Sequence, residues 1–412
     1  MSSESALDKR CGLETVEFAR VEQLVRDHPP SELARFFTLQ ELQETATSAR
    51  RVALLASRFA AKTACCKLFA RETALSLICP SDFALGQDTD GEPAVKPSSN
   101  AQAVLDRYRI AEIRLSLTQS EASASAKAWA KPKPTEVPWF GRWFYHLFPY
   151  RRNVALENLR RVFGDVLPEE EIHKLAQAYY AHYLRFTMEF VRLPFMSAER
   201  RKAWIRLENI EAPLRAHEKG KGILLLTGHF GNFEVSTVAG ISQFPQYRGL
   251  FHFVRRPLKP RLLNAFVTYR FRRHGFGVLP KRGSLDRIFE LLAHGAIIVY
   301  VFDQHAGKGD GITVDFFGHP AGTFKSVALL ALTTGAPVIP AYSWREPNGR
   351  HVLRFEDELP LIECDDVGEA IRINTQAYNR ALERMLLRHP EQWIWMHRRW
   401  KVRNERLELG GG

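Results

Sequence analysis

The sequence lacks a long hydrophobic run: its 412 residues contain no apolar stretch of about 18, and the first ten, MSSESALDKR, hold no apolar signal core. We therefore predict a protein that is neither secreted nor membrane-spanning. Cysteine is scarce as well, with five residues: Cys11, Cys65, Cys66, Cys79 and Cys364. Their number is odd and their spacing is not that of a metal site, which indicates a reducing compartment without structural disulfides.

Acidic residues are fewer than basic ones, and the imbalance is uneven along the chain. The net charge is +12, yet residues 1–130 carry −1 and the remainder carries +13. With 45% hydrophobic and 25% charged residues, the composition excludes a disordered, collagen-like or disulfide-scaffold chain. A basic segment of this size favours an anionic partner, which is nucleic acid, anionic lipid or an acidic protein.

The length allows two or three domains of roughly 150 residues each. In the segment KPKPTE at 131–136, Pro132 and Pro134 cannot continue a helix, and we predict a linker there. The predicted domains are therefore residues 1–130 and 137–412.

The second half shows the pattern of an α/β protein. A helical period covers residues 154–192, and from residue 222 onward apolar strands alternate with helices. The predicted strands lie at 223–227, 250–254, 296–302 and 337–343. Because these strands are apolar on both sides, we predict a sheet covered by helices on both faces.

The first of these strands runs into the sequence GHFGNFE and delivers His229 to the carboxyl edge of the sheet, where open α/β sheets bind ligands. Glu234 follows five residues later, about 140° away on a regular helix. The two side chains can meet only if His229 lies in a turn and Glu234 in the first helical turn, which Gly228 and Gly231 permit. A carboxylate on one imidazole nitrogen would fix the tautomer and leave the other nitrogen to take a proton from a hydroxyl.

The alternative for this pair is a histidine that caps the helix and a glutamate that favours its dipole. No Ser or Cys stands beside His229 in a nucleophile elbow, and the neighbouring residues have no zinc spacing.

The segment TGHFGNFE at 227–234 resembles the His-x4-Asp/Glu box of glycerolipid and lysophospholipid acyltransferases. In its longer form it resembles the lipid A late acyltransferases, the lauroyl/myristoyl transferase family. Further segments match that family in order over about 140–402. They are RNVALENL at 152–159, RRPLK at 255–259, DQ at 303–304, VDFFG at 314–318, GAPVIP at 335–340 and EQWIWMHRRWK at 391–401. The aromatic and basic tail would alone suit nucleic-acid or membrane binding, but the resemblance favours a segment that closes the domain.

The resemblance implies a lysophospholipid-acyltransferase-like α/β domain with His229 as the base and Glu234 as its orienting partner. The implied reaction moves a fatty acyl group from a thioester of acyl carrier protein or coenzyme A to a hydroxyl or amine of a lipid or glycolipid. Since the thioester is already activated, we expect no metal or bound cofactor for this transfer.

We expect six further residues around the substrate. The backbone N–H groups near Gly231 and Asn232 would bind the oxyanion, and an arginine of the 255–256 pair would bind a phosphate. The polar pair at 303–304 ends a buried strand, although it could instead cap a helix. The predicted substrate-binding residues are Gly231, Asn232, Arg255, Arg256, Asp303 and Gln304.

A segment rich in aromatic residues and arginines, PWFGRWFYHLFPYRR, occupies residues 138–152. Such side chains prefer the headgroup boundary of a membrane, and the segment is too short to span one. The alternative is a helix that packs against the domain. We predict peripheral attachment to the cytoplasmic face of the inner (plasma) membrane and no nucleic-acid partner.

The first half is similar to the holo-acyl-carrier-protein synthases, which are phosphopantetheinyl transferases, over about 11–129. The matching segments are GLETVEFAR at 12–20, FFTLQE at 36–41, ASRFAAKTACCK at 56–67, DGEP at 90–93 and LSLTQS at 115–120. The resemblance implies a smaller N-terminal α+β domain.

This half departs from its family at the metal site. The family holds magnesium through an aspartate and a glutamate, where this chain has Glu14 and Thr63, and Gln119 replaces a histidine. Thr63 offers only a neutral hydroxyl. Lys62 and Lys67 could meet coenzyme A phosphates or be solvated. We predict an inactive domain that binds acyl carrier protein or coenzyme A, with magnesium and coenzyme A as cofactors only if it is active.

Two rival functions remain at this point. One is a bifunctional enzyme that also transfers phosphopantetheine, and the other is a non-catalytic scaffold that binds lipid or carrier protein.

Overall fold

The computed structural model describes residues 11–69, 78–87, 91–241, 243–257, 259–281, 283–307 and 309–401. The first ten residues, on which the prediction about a signal rests, lie outside this part, as do Asp90 and Leu258 of the motif segments. The chain divides into two compact units. One comprises Met1–Thr135 with Phe163–Glu169, and the other comprises Glu136–Val162 with Glu170–Gly412. All five cysteines are free thiols.

The first unit contains a five-stranded antiparallel sheet with the strand order β1-β5-β4-β3-β2. Its strands are β1 (Cys11–Glu17), β2 (Phe83–Gln87), β3 (Pro93–Pro97), β4 (Ile110–Gln119) and β5 (Ser123–Pro132). Its helices are α1 (Phe18–Asp27), α2 (Pro30–Leu33), α3 (Leu39–Thr45), α4 (Arg51–Cys66) and α5 (Ser99–Arg107). The sheet is antiparallel throughout and four of the helices follow one another between β1 and β2, so this unit is an α+β domain.

Strand β5 shows why helix α4 lies on this sheet. Its alternating alanines are buried while the residues between them are not. These small side chains let α4 pack closely against the strand. The strand includes Lys131 and Pro132, so the structure differs from the predicted linker in its first two residues. Pro132 sits at the end of the ladder, where its missing N–H costs little.

The second unit begins with helices and continues with alternating elements. Its helices are α6 (Trp139–Leu147), α7 (Arg152–Phe163), α8 (Glu169–Arg192), α9 (Ala198–Ala203), α10 (Glu211–His217), α11 (Phe233–Val235), α12 (Arg261–Arg273), α13 (Leu285–Ala293), α14 (Ser326–Thr334) and α15 (Val367–Arg388). Its strands are β6 (Ile205–Glu208), β7 (Ile223–Thr227), β8 (Phe251–Arg255), β9 (Gly277–Pro280), β10 (Ile297–Val301), β11 (Gly311–Phe316), β12 (His319–Phe324), β13 (Val338–Arg345) and β14 (His351–Phe355).

Seven of these strands form one sheet in the order β6-β14-β13-β7-β10-β8-β9. The five strands β13, β7, β10, β8 and β9 are parallel to one another, whereas β14 runs antiparallel to β13. The first four residues of the central strand β7 are all buried, which requires cover on both faces of the sheet. The predicted α/β class of this half is confirmed.

The residues after helix α15 close the unit. Trp393 and Trp395 are fully buried, and Phe230 forms an isolated bridge with Trp393. The Asn158 amide donates hydrogen bonds to the carbonyls of Trp395 and His397, each at 2.7 Å. The tail therefore lies against both helix α7 and the turn that carries His229.

Candidate active site

The register of two parallel strands brings His229 and Asp303 together. Val301 pairs with Thr227, the last residue of β7, so the residues two positions beyond each strand end are neighbours. His229 Nδ1 lies 2.9 Å from Asp303 Oδ1, and the His229 backbone N–H donates to Asp303 Oδ2 at 2.7 Å. The Trp393 indole N–H donates to the same Oδ2 at 2.8 Å. Three hydrogen bonds thus hold a carboxylate that is 1% exposed.

The two groups stabilise each other's charge. Burial alone would raise the pKa of Asp303, but the His229 charge and its hydrogen bonds lower that pKa to about 2. Burial likewise opposes the charged form of His229, yet Asp303 raises the pKa of His229 above its ordinary value. The His397 ring lies 5.3 Å from the His229 ring, and burial, with the neighbouring His229 charge, lowers the pKa of His397 to about 4.

Glu234 is placed differently from the prediction. Among the described residues, no hydrogen bond or ion pair joins Glu234 to His229; the neighbouring Phe233 ring instead stands edge-on to the imidazole at 5.0 Å. The reason is geometric, since Asp303 already occupies the Nδ1 side from the adjacent strand. Burial raises the pKa of Glu234, while the charges of Arg270 and Arg255 oppose that rise.

The turn after His229 also differs from the prediction. The Gly231 N–H donates to the Gln392 carbonyl at 2.9 Å, so it cannot serve an oxyanion. Gly231 has a φ of +54°, and a Cβ there would lie 2.5 Å from the Ser343 carbonyl oxygen, so glycine is required. Asn232 is fully buried, and its Oδ1 caps helix α11 by accepting from the Val235 N–H at 3.1 Å.

A buried polar cluster supports this turn from behind. Glu189 accepts from Arg345 Nε and from the Asn232 amide, each at 2.7 Å. Arg345 also donates to His182 Nδ1 at 3.0 Å, and His182 Nε2 donates to the Gly231 carbonyl at 3.2 Å. Burial and Arg345 lower the pKa of His182 to about 3, so the ring is neutral and its tautomer is fixed. Burial would raise the pKa of Glu189, but the adjacent His351 imidazole, 3.5 Å away, and the hydrogen bonds from Arg345 lower it to about 2.

A cavity of about 730 Å³ opens beside His229 and runs along one face of the sheet. Its deeper wall is apolar, with side chains from strands β7, β8, β10 and β13 and from helix α12. Residues of this wall include Leu225, Phe251, Val267, Phe271, Val299 and Ala341. A space of this volume and lining suits a long aliphatic chain.

The structure brings most of the predicted site residues to this cavity. Those that line it are His229, Glu234, Arg255, Arg256 and Gln304. Asp303 lies behind His229 and is hydrogen-bonded to it, whereas Gly231 and Asn232 are not among the residues that line the cavity. The sequence analysis did not predict the pairing of His229 with Asp303. The signal for it is that each residue follows the end of a buried strand and that the two strands are parallel neighbours.

The predicted metal position of the first unit holds an ion pair. The Lys67 ammonium contacts the Glu14 carboxylate, and the Thr63 hydroxyl finds no hydrogen-bond partner among the described residues. A site with one carboxylate already paired to a cation and one neutral hydroxyl does not fit magnesium. Lys62 is fully buried and pairs with Glu41, so it neither contacts solvent nor is free to meet a phosphate, in contrast to both predictions for it. Within the described part of the chain, no group of three potential ligand side chains has the geometry of a metal site.

Comparison with known proteins finds similar sequences for the second half and similar structures for the first. The sequence profile described as bacterial lipid A biosynthesis acyltransferase matches residues 137–402. The chain is 30% identical over 256 residues to phosphatidylinositol mannoside acyltransferase of Mycolicibacterium smegmatis, covering 60% of this chain and 81% of that protein. It is 25% identical over 257 residues to the lipid A biosynthesis lauroyltransferase of Escherichia coli K12, covering 62% and 80%. A holo-[acyl-carrier-protein] synthase structure from Neisseria meningitidis matches 29% of this chain and 96% of its own, with 25% identity and a TM-score of 0.26.

Proposed function

The chain belongs to the bacterial lipid A biosynthesis acyltransferase family and is an acyltransferase that acts on a lipid or glycolipid acceptor, and on that premise we propose that its donor is an acyl thioester and that His229 is the general base. The observation that carries this proposal is the His229–Asp303 pair at the mouth of an apolar cavity.

In the proposed reaction, His229 Nε2 takes the proton of the acceptor hydroxyl or amine as that group attacks the thioester carbonyl carbon. The new ester or amide bond forms, the carbon–sulfur bond breaks, and the departing sulfur receives the proton from the imidazolium. Asp303 holds the Nδ1–H tautomer and stabilises the imidazolium, which is the part we first assigned to Glu234. The acyl chain lies along the apolar wall of the cavity.

Glu234 has a different part in this proposal. It lines the cavity near Arg255 and Arg270, and its negative charge balances theirs where the substrate's polar groups enter. The donor is acyl carrier protein or acyl-coenzyme A, which share the thioester that this chemistry needs.

Membrane contact is proposed through helix α6. Its residues Gly141 and Tyr145 are buried against α8, while Trp139, Trp143 and Leu147 are 76%, 66% and 75% exposed. These three residues are four apart, so they form one exposed apolar stripe. The buried face fits the alternative of a helix packed against the domain, and the exposed stripe supports the membrane contact that we propose. No helix in the described ranges is long and apolar enough to cross a bilayer, and peripheral attachment to the inner face of the plasma membrane remains our proposal.

The first unit is proposed to dock acyl carrier protein rather than to act as a second enzyme. The Glu14–Lys67 ion pair argues against magnesium chemistry there, and so against the bifunctional alternative. The His229–Asp303 pair argues against a non-catalytic scaffold.

The test is acyl transfer by the purified full chain from labelled acyl carrier protein and acyl-coenzyme A to membrane lipid extract. We expect His229→Ala to lose roughly 10²- to 10⁴-fold in rate, since a general base contributes about that much. His294→Ala is the matched control, because His294 is exposed and lies outside the cavity. Undiminished transfer by His229→Ala would contradict the proposal.

A further inference from the structure

One face of helix α8 lies against the turn that follows His229. Three side chains of this helix, at positions i, i+4 and i+7, point to the same side of it. Each of them contacts a different residue of the segment 231–233. We call these three residues the α8 clamp: His182, Phe186 and Glu189.

The α8 clamp contacts both ends of this segment. At the first end, His182 donates from Nε2 to the Gly231 carbonyl at 3.2 Å. At the other end, the Phe186 ring lies 5.2 Å from the Phe233 ring, measured between centroids. The Phe233 ring in turn stands edge-on to the His229 imidazole at 5.0 Å. A movement of the segment relative to α8 would therefore move a side chain that contacts the imidazole.

Gly231 is the residue of this turn with the widest backbone freedom, since it has no Cβ and adopts a φ of +54°. Its N–H is held by the Gln392 carbonyl, and its own carbonyl is held by His182. Arg345 donates to His182 Nδ1 at 3.0 Å, so the hydrogen of the neutral ring is on Nε2. Rotation of the Gly231 carbonyl would leave this buried N–H without an acceptor, which is costly.

We propose that the α8 clamp positions the His229 imidazole toward the substrate and that His182 is its principal positioning residue. This inference rests on the proposed function. His182 is buried and is not among the residues that line the cavity, so it acts through the turn and not through contact with the substrate. A displacement of about 1 Å at a reacting group can cost roughly 100-fold in rate. The His182 bond should therefore affect kcat much more than KM.

The experiment compares His182→Asn with His182→Gln in the full chain. The asparagine oxygen takes the place of Nδ1 and accepts from Arg345, but its amide nitrogen is too short to reach the Gly231 carbonyl. The glutamine amide nitrogen takes the place of Nε2 and still donates to that carbonyl. The matched control is His217→Asn, because His217 Nε2 also donates to a glycine carbonyl at 3.2 Å, that of Gly295, whose φ is +76°. Neither residue of this control bond lines the cavity.

We expect His182→Asn to lower kcat roughly 10- to 100-fold, with KM values for donor and acceptor within about twofold of wild type. His182→Gln should retain most of the wild-type kcat, and His217→Asn should retain all of it. Equal kcat values for the two His182 variants would overturn the inference, and so would an equal loss in His217→Asn. If His182→Asn does not fold, Phe186→Leu gives the test, since it loosens the contact with Phe233 and removes no buried charge. A wild-type kcat in that variant would overturn the inference as well.

A second measurement separates this inference from the proposed function. NMR titration of isotope-labelled histidine gives the pKa of His229 without any substrate. Asp303 raises this pKa above its ordinary value, and release of the turn in His182→Asn should weaken that pairing and return the pKa toward the ordinary value. His182→Gln should keep the wild-type value. The titratable groups that face the imidazole are the same in all of these variants: Asp303, Glu234 and His397. This pKa shift in a protein that transfers no acyl group would retain the α8 clamp and reject the proposed function, whereas an unchanged pKa with an unchanged kcat would reject the clamp.

Discussion

Asp303 binds His229 at two points, one on the imidazole and one on the backbone of the same residue. The first bond sets the tautomer, and the second fixes the position of the turn relative to strand β10. Because the carboxylate is also bound by the Trp393 indole, neither group can rotate without breaking a buried charge-assisted hydrogen bond. The proposed base is therefore held in its reactive orientation before substrate arrives.

Replacing Asp303 with asparagine should lower kcat by roughly 10²- to 10⁴-fold, since the amide can stabilise neither the imidazolium nor the required tautomer with the same strength. Losing the negative charge also lowers the pKa of His229, so the acid limb of the pH–rate profile should move to lower pH. Steady-state kinetics across pH check both effects. Asp357→Asn, at an exposed ion pair with Arg215, is the control, and a full-rate Asp303→Asn enzyme would contradict this role.

The same pair makes stability depend on pH. The pKa of Asp303 falls to about 2, so its contribution is complete above the ordinary aspartate value of about 3.9 and is lost as the pH falls through about 2. The pKa of His229 is raised, so its contribution is complete below about pH 6.5 and is lost as the pH rises through the raised value. The Tm difference between wild type and Asp303→Asn should be largest between about pH 4 and 6.5. If this Tm difference is constant from pH 3 to 9, the ionisation of Asp303 and His229 is not coupled to folding.

Replacing Glu189 with alanine should destabilise the second unit by roughly 3–5 kcal/mol, because it leaves Arg345 buried without its carboxylate. It also frees the Asn232 amide, so activity should fall together with stability. Urea denaturation and acyl-transfer rate measure the two losses. Glu290→Ala, which removes an exposed pair with Arg287, should change neither; equal behaviour of the two variants would exclude a supporting role for Glu189.

Replacing Trp139, Trp143 and Leu147 together with serine should reduce sedimentation of the protein with anionic liposomes. The Tm should stay nearly unchanged, since these side chains are largely exposed. Tyr145→Ser on the same helix should do the reverse, because Tyr145 is buried against Tyr180. Liposome binding that survives the triple change would show that the stripe does not attach the protein.

Much of the second unit is readable from its sequence, because apolar segments bounded by polar turns leave little ambiguity about where the buried strands lie. The four predicted strands, which flank the site, are found within two residues of their predicted ends. The predicted helix over 154–192 is two helices, α7 and α8. Gly164 follows the end of the first helix, and Pro168 precedes the start of the second. Both residues signal a break. The apolar period continues on either side of them, however, and so predicts a single helix.

The partners of the candidate site were harder to predict, since they depend on contacts between distant segments. The spacing of His229 and Glu234 suggests a local pair, yet Asp303 reaches the imidazole from the next strand of the sheet. Similarly, the Gly231 N–H looks free in the sequence, but the Gln392 carbonyl accepts it from the end of the chain. The spacing of residues along the chain does not show which distant group will bond to a given donor or acceptor.

The tail that bears Gln392 and Trp393 has a consequence for biosynthesis. Strand β7 and the His229 turn leave the ribosome long before these residues are translated, yet the turn needs the Gln392 carbonyl and Asp303 needs the Trp393 indole. A nascent chain therefore holds an incomplete turn until almost all of the described residues have emerged. We therefore expect a chain truncated before Gln392 to be inactive in acyl transfer rather than partly active.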